Sequence, residues 1–319
     1  MSGCPVCGNS AGLGEFQTTC TTSSGGRCSY FTCTECGSWT WDPSTVVGET
    51  AYPDDYYGTN DQKFIPVISQ MRTVTWWRRA RQVHRLRKGV AGDVLDIGCG
   101  DGIFLQKLSA RGWRIHGTEL AGATFKRASR IAGIDLSLSG DCQEFPWADA
   151  SMDVVTIWHV LEHIVNPDIL MRECRRVLKT DGVLIVEVPN VESLQARIFQ
   201  SGWFGLDPPR HVTQFSRRGL HALLARTGLS LVASTGLAIE MGVYGIIQSL
   251  LNLFIAPRDL LFDTWCKGHA GIHLVRETLS ALCAVAIFPI AVLGFVVETA
   301  IGAGAVVKCR ATLRKSPST

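Results

Sequence analysis

The feature that most narrows what this chain can become is an apolar run that stops abruptly in glycines: Val94-Leu95-Asp96-Ile97-Gly98-Cys99-Gly100-Asp101-Gly102. A short apolar run bounded by turn residues suits a buried strand. Glycines directly after it allow a tight turn and let a ligand approach the backbone. Residues 103–111 then carry Ile103, Phe104 and Leu108 at helical spacing. The glycine spacing G-x-G-x-G differs from the dinucleotide pattern G-x-G-x-x-G. Asp96, before the first glycine, would repel a pyrophosphate and attract an ammonium group. A second acid, Glu119, ends the strand-like segment 113–119 and is placed to accept two ribose hydroxyls. The plainer reading is a glycine turn that holds no ligand. The strand, loop and helix order together with Glu119 speak against it.

Strand-like and helical segments keep alternating downstream. Residues 123–131 are helical, 153–158 a short buried strand, and 168–178 a helix with Ile169, Leu170, Cys174, Val177 and Leu178 on one face. The β-branched run 183–188 closes in Pro189-Asn190, 217–226 is helical, and 229–234 is strand-like. Such alternation predicts an α/β fold, a parallel sheet with helices on both faces. Ligands on these sheets bind at the carboxyl ends of the strands. The 319 residues suffice for about two domains. With 46% hydrophobic residues, a disordered chain is excluded. Charged residues are 18%, against about 25% in a typical soluble domain. Part of this chain is therefore expected not to face water. The net charge of +3 favours no particular partner.

Over about 91–235 the chain resembles the class I S-adenosylmethionine-dependent methyltransferases, in particular the bacterial group near the ubiquinone and menaquinone methyltransferases. The resemblance rests on Leu95-Asp96-Ile97-Gly98-Cys99-Gly100-Asp101-Gly102, on Gly117-Thr118-Glu119, and on Gly140-Asp141-Cys142 followed by Phe145-Pro146 and Met152-Asp153. It rests further on Arg176-Val177-Leu178-Lys179-Thr180-Asp181-Gly182 before 183–188, and on His211-Val212-Thr213-Gln214-Phe215-Ser216. The resemblance implies a Rossmann-like seven-stranded sheet and S-adenosylmethionine as methyl donor. It places Asp96 near the methionine amino group, the backbone of Gly98 and Gly100 near the methionine moiety, and Glu119 on the ribose. Gly102 completes the loop, Asp141 and Cys142 border the adenine, and Trp158 lines the pocket by its backbone.

The acceptor is less legible. Enzymes that methylate exocyclic amines carry Asn/Asp-Pro-Pro-Tyr/Phe after the fourth strand. Here that strand runs into Ile157-Trp158-His159-Val160-Leu161-Glu162-His163, and Asp207-Pro208-Pro209-Arg210 comes only after the fifth. Hydroxyl methylation is the better expectation. His159, His163 and His211 are candidate bases, because histidine titrates near neutrality and can take a hydroxyl proton. For His159 a packed residue at a helix start is the plainer reading. His163 and His211 are the expected catalytic pair of candidates, with His211 preferred for its place after strand five.

Six of the twelve cysteines fall within the first 36 residues. Cys4-Pro-Val-Cys7-Gly8 and Cys33-Thr-Glu-Cys36-Gly37 form two matching knuckles separated by 25 residues. Four thiolates at this spacing predict a closed, structural zinc site in a small N-terminal zinc ribbon, residues 1–50. Cys20 and Cys28 have no paired spacing and read as loop thiols. The first 30 residues hold no apolar run, so no secretory signal is expected.

Residues 65–88 carry Arg72, Arg78, Arg79, Arg81, Arg85, Arg87 and Lys88 with no acid, and Ile68, Met71, Val74, Val83 and Leu86 recur at helical spacing. This is a linker and amphipathic helix within 51–90. Its basic face is open to three readings: solvent, an anionic membrane or RNA. Residues 279–297 form 19 uncharged positions, near the length of a membrane span, and 241–256 form a shorter run of 16. A seventh strand is needed by the fold, and 304–311 is the candidate. If it returns to the sheet, 237–303 is an apolar helical insertion that enters and leaves on one side. Pro289 would then let it kink or turn back, and Glu298 should sit near the headgroups. A hydrophobic dimer face or a pair of buried core helices is the plainer alternative.

The combined expectation is a zinc-ribbon-bearing methyltransferase, its catalytic domain at 91–236, on the cytosolic face of the cell membrane with both ends in the cytosol. Its expected partners are the membrane surface and a lipid-linked saccharide or quinone-like acceptor. Nucleic acid is disfavoured by the apolar end, leaving an RNA methyltransferase as the alternative enzyme. A membrane-tethered adaptor without activity is weakened by the presence of Asp96, the glycines and Glu119.

Overall fold

The computed structural model describes residues 3–10, 14, 16–21, 27–41, 66–138, 144–255, 258–267 and 274–314. In chain order they form strands β1 (Phe16–Thr21), β2 (Arg27–Thr32) and β3 (Trp39–Trp41), then helix α1 (Pro66–Leu86). Next come β4 (Asp93–Ile97), α2 (Ile103–Ser109), β5 (Arg114–Glu119), α3 (Ala123–Ala128), β6 (Ile134–Leu138), β7 (Met152–Trp158), α4 (Pro167–Val177) and β8 (Leu178–Pro189). The chain continues through α5 (Leu194–Phe199), β9 (Thr213–Gln214), α6 (Arg217–Arg226) and β10 (Leu229–Thr235). It ends with α7 (Ile239–Phe254), α8 (Leu260–Lys267), α9 (Leu274–Ala300) and β11 (Val306–Leu313).

Two compact units result. One comprises Pro66–Glu187, His221–Ser234 and Cys309–Thr319, the other Met1–Ile65, Val188–Leu220 and Thr235–Lys308. This division differs from the boundaries at 50, 90 and 236 read from the sequence. Residues 188–220 group with the N-terminal cysteines because β9 pairs with β3, with Trp39 opposite Gln214 and Thr40 opposite Thr213. The Ser216 hydroxyl also donates to the Cys36 carbonyl at 2.5 Å. Nothing in the local pattern of residues 188–220 announces a strand partner so far away in sequence.

The seven-stranded sheet has the order β10-β11-β8-β7-β4-β5-β6. The pairs β4–β5, β5–β6, β4–β7 and β7–β8 are parallel. The stretch expected to supply a seventh strand forms β11, between β10 and β8. Strand order grows from β4 to β6 on one side and from β7 to β8 on the other. The direction of winding therefore reverses between β4 and β7, which opens a crevice at their carboxyl ends. Beneath it lies a core of Val94, Phe104, Leu105, Leu108, Ile115, Val154 and Ile185, covered by Ala80 and Val83 of α1. At the opposite, amino ends, Lys179 reaches Asp153 at 2.7 Å and Asp93 at 3.3 Å, so carboxylates from two strands share one ammonium.

In the other unit α7 and α9 pack against each other through small residues. A Cβ added at Gly242 would stand 2.3 Å from the Phe295 ring, and one at Gly294 2.9 Å from Ile246 Cδ1. Close backbone approach of this kind needs the missing side chains. Two sequence expectations are corrected here. Pro289 does not turn the chain back, because α9 runs through it as a single helix of 27 residues. Glu298 is not on an outer surface: it is buried, and Gln195 Nε2 donates to its two carboxylate oxygens at 3.2 and 3.1 Å. Val275–Ala300 is long and apolar enough to cross a membrane, and only 17% of its most apolar stretch is buried. Val275 (81% exposed), Val285 (74%) and Leu293 (65%) stand clear of the protein.

Gly242→Val should overpack this helix pair and lower stability by about 1–3 kcal/mol. A thermal melt of the detergent-solubilised protein reads the loss, and an unchanged melt would show that the two helices part freely.

Candidate functional site

The glycine loop sits at the carboxyl end of β4, on the crevice. Gly98, Gly100 and Gly102 adopt φ of 65°, 60° and 74°, a region costly for residues with a Cβ. A side chain at Gly98 would also strike Val160 Cγ2 at 2.5 Å. At Gly100 an added Cβ would meet nothing within 4 Å. The loop is therefore packed on one side and open at Gly100, the form of a backbone cradle for a ligand.

Two carboxylates flank it. Asp96 is fully desolvated, and burial pushes its pKa up to about 7, with the Glu119 charge adding to the rise and Thr156 and Arg79 opposing it. The Thr156 hydroxyl, opposite Asp96 on β7, donates to Asp96 Oδ1 at 2.6 Å. Glu119, at the end of β5, accepts from the Gly100 amide at 2.6 Å and the Thr124 hydroxyl at 3.1 Å. Burial raises its pKa as well. Two buried carboxylates beside an open backbone position favour a ligand with a cation and hydroxyl donors. The groups of S-adenosylmethionine fit that demand: an ammonium for Asp96 and ribose hydroxyls for Glu119. Asp141 and Cys142 lie outside the described residues.

Trp158 ends β7 and is buried. Its ring lies 4.4 Å from the Arg79 guanidinium and edge-on to Phe104. Arg79 pairs with Glu187 on β8. Glu187 Oε1 also lies 3.2 Å from His159 Nε2, and His159 Nδ1 lies 3.4 Å from Glu162. Burial disfavours the charged imidazole, but Glu162 and then Glu187 outweigh it and hold the His159 pKa at about 9. Both ring nitrogens thus face carboxylates, and His159 is an imidazolium at neutral pH. That removes it as a general base. Its φ of 55° is strained for a residue with a Cβ and places the ring between the two acids.

Reading the sequence alone missed this buried chain of two acids and two cations. A signal was available: Glu187 interrupts an otherwise apolar strand, and a carboxylate there needs a cation. Only the three-dimensional fold says that the cation comes from α1.

The remaining histidine candidates stand in different units. His163 ends the single turn after β7 and is half-buried. His211 is buried before β9, and its Nδ1 lies 2.8 Å from the Gly205 carbonyl. A carbonyl can only accept, so Nδ1 carries the proton and Nε2 is the basic nitrogen. Asp207 Oδ2 lies 3.7 Å from that Nε2 and is itself ion-paired with Arg210.

In the cysteine unit, Gly8 N–H donates to the Cys4 carbonyl and Gly37 N–H to the Cys33 carbonyl, which turns each knuckle back on itself. Cys4 and Cys36 Sγ stand 3.8 Å apart, Cys7 and Cys33 Sγ 3.7 Å, and all four sulfurs lie within 4.8 Å of one another. A tetrahedral zinc with bonds of about 2.3 Å requires sulfurs about 3.8 Å apart. The donor set and its spacing fit that ion. Cys20 and Cys28 are not loop residues: their backbones pair in register on β1 and β2.

A family model described as a methyltransferase domain matches residues 72–234. A probable S-adenosylmethionine-dependent methyltransferase of Mycolicibacterium smegmatis is 36% identical over 118 residues, 36% of this chain and 46% of that protein. A protein of the same description from Mycobacterium tuberculosis is 30% identical over 166 residues, 51% of this chain and 58% of its own. A ubiquinone biosynthesis O-methyltransferase of Idiomarina loihiensis is 31% identical over 134 residues, 40% and 52% of the two chains. The chain spans about half the length of the curated relatives it matches.

Two outcomes follow from this geometry. Asp96 is protonated below about 7 and becomes a partner for an ammonium only above it. Affinity for S-adenosylmethionine should therefore rise with pH through that value, by up to about tenfold per pH unit below it. Calorimetry across this range checks the slope, and Asp96→Asn should flatten it. Cys36→Ser should lower bound zinc, counted by elemental analysis, and the melting temperature together. Wild-type protein purified free of zinc would refute the metal assignment.

Proposed function

The chain belongs to the methyltransferase-domain family, and from that premise we propose that it moves the sulfonium methyl of S-adenosylmethionine onto a hydroxyl of a lipid-linked saccharide or quinone-like lipid at a membrane surface. The observation that carries the proposal is the open Gly100 position between two buried carboxylates. Asp96 holds the ammonium, the backbone of Gly98 and Gly100 receives the methionine moiety, and Glu119 takes the ribose hydroxyls. Gly102 lets α2 start close behind the loop, and Trp158 walls the crevice. Asp141 and Cys142 are proposed for the adenine side on resemblance alone. Bound S-adenosylmethionine supplies a methyl group that is already activated, so the protein's task is alignment.

The acceptor oxygen forms its bond to the methyl carbon as the carbon–sulfur bond breaks, and the hydroxyl proton must leave. His211 Nε2 is the preferred receiver of that proton, because the Gly205 carbonyl at Nδ1 makes Nε2 the accepting nitrogen. His163, at the carboxyl end of β7, is the second candidate. The Idiomarina relative, a ubiquinone biosynthesis O-methyltransferase, supports oxygen as the atom methylated. Cys4, Cys7, Cys33 and Cys36 hold a structural zinc in a small ribbon, since four thiolates leave no open position.

The membrane part of the proposal is supported by the apolar flank of α9. Its exposed valines and leucines would be costly in water and favourable in lipid. We place the protein on the cytosolic face, with both chain ends in the cytosol where the methyl donor is.

The decisive test follows labelled methyl from S-adenosylmethionine into lipid extracts. Wild-type protein should label a lipid fraction. Glu119→Ala should lose two charge-assisted hydrogen bonds to the donor, worth about 1.5–3 kcal/mol each, and label little. Label in RNA and none in lipid would replace the acceptor class.

A further inference from the structure

Helix α1 sorts its arginines onto two faces, and the two sets differ in what they meet. The inward set is paired. Arg72 lies 3.2 Å from Asp101, Arg79 meets Glu187, and Arg87, just past the helix end, lies 3.0 Å from both Asp153 and Asp181. The outward set, Arg78, Arg81 and Arg85, is exposed. Among the described residues no carboxylate pairs with these three.

The same outward face is also apolar. At about 100° per residue, Met71, Val74, Trp77, Arg78, Arg81 and Arg85 fall within one arc of about 120°. Met71 is 50% exposed, Val74 56% and Trp77 42%. The Arg81 guanidinium lies 5.2 Å from the Trp77 ring centroid, so cation and aromatic form one patch. The exposed arc thus combines three uncovered apolar side chains with three unpaired guanidinium groups and contains no acid.

Water rewards only the cations of such a face. A nucleic acid backbone would use the cations and could stack on Trp77, but it has no use for Met71 and Val74. An anionic lipid surface uses every member. Guanidinium groups meet phosphates, the tryptophan ring settles at headgroup level, and the aliphatic side chains reach the acyl boundary.

We propose that the outer face of α1 is a docking surface for anionic phospholipid headgroups, separate from the apolar helix α9. The inference deepens the membrane reading above and rests on it. Its consequence is orientation. The inner face of α1 is ion-paired to Asp101 in the glycine loop and to Glu187 at the end of β8. A bilayer held by the outer face therefore holds the cofactor loop at a fixed distance from the headgroups, set by the thickness of one helix.

Flotation of the full-length protein with two kinds of vesicle tests this. One is neutral phosphatidylcholine, and the other contains about one-third phosphatidylglycerol, an anionic surface of the kind polybasic segments recognise. Binding to the anionic vesicles should exceed binding to the neutral ones, and the difference should shrink with added salt. Each basic residue near such a surface contributes about fivefold, so Arg78→Gln, Arg81→Gln and Arg85→Gln combined should weaken anionic binding by roughly a hundredfold. Neutral binding should stay as it was, and unchanged affinity for S-adenosylmethionine would show that the variant is folded. Equal binding to both vesicles, or no loss in the triple variant, would overturn the docking face and leave the membrane reading standing. Binding to neither vesicle would overturn both. If the triple variant instead lost affinity for a single-stranded RNA oligomer with vesicle binding unchanged, the face would be an RNA surface.

Discussion

The unit that carries the seven-stranded sheet is organised around a buried guanidinium. Arg79 can leave water only if carboxylates meet it, and removing either partner of such a pair costs about 3–5 kcal/mol. Glu187 meets it from the end of β8, and His159 and Glu162 continue the chain of alternating charge across the end of β7. The result is four ionisable groups whose formal charges cancel. Because Arg79 belongs to α1, Glu187 to β8 and Glu162 to the turn after β7, this one cluster ties a helix to the strand ends that border the crevice. It also gives Trp158 its guanidinium ceiling, and the Arg79 charge tempers the rise in the Asp96 pKa.

That arrangement gives the two kinds of acid in this unit different tasks. Glu162 and Glu187 each face a cation of the protein itself. Asp96 and Glu119 are buried, yet their partners are hydroxyls and a backbone amide. Burial raises both pKa values, and neither carboxylate is ion-paired among the described residues. A site that keeps carboxylates short of a cation is prepared for a ligand that brings one. The backbone at Gly100, beside these acids, is open.

The second unit relies on different physics. Four sulfurs at tetrahedral spacing gather the knuckles, and the β3–β9 pairing draws residues from the middle of the chain to them. Further on, α7 and α9 approach through glycines, and Glu298 is neutralised as a liability by the Gln195 amide. The apolar side chains of α9 that remain outside have no counterpart within the described protein. A chain with this surface gains from an apolar neighbour, which is the physical content of the membrane proposal.

Local patterns settled a good deal in advance. Periodicity and turn residues alone located β4, the glycine loop, α2, α4 and β7, because the hydrogen bonds of helices and the bends of glycines are short-range. Spacing alone paired the four cysteines, since each knuckle is built from neighbours. Even β11 was legible, from a strand-forming run after Gly302 and Gly304 at the point where the fold needed a seventh strand. What tertiary structure decided was every feature that depends on residues far apart in the chain. These include the pairing of Glu187 with an arginine 108 positions earlier, the charge state of His159, and the membership of 188–220 in the cysteine unit. They also include the burial of Glu298 and the passage of α9 straight through Pro289. In each case the deciding term is desolvation or packing against a distant partner, and a linear string of residues does not contain the identity of that partner.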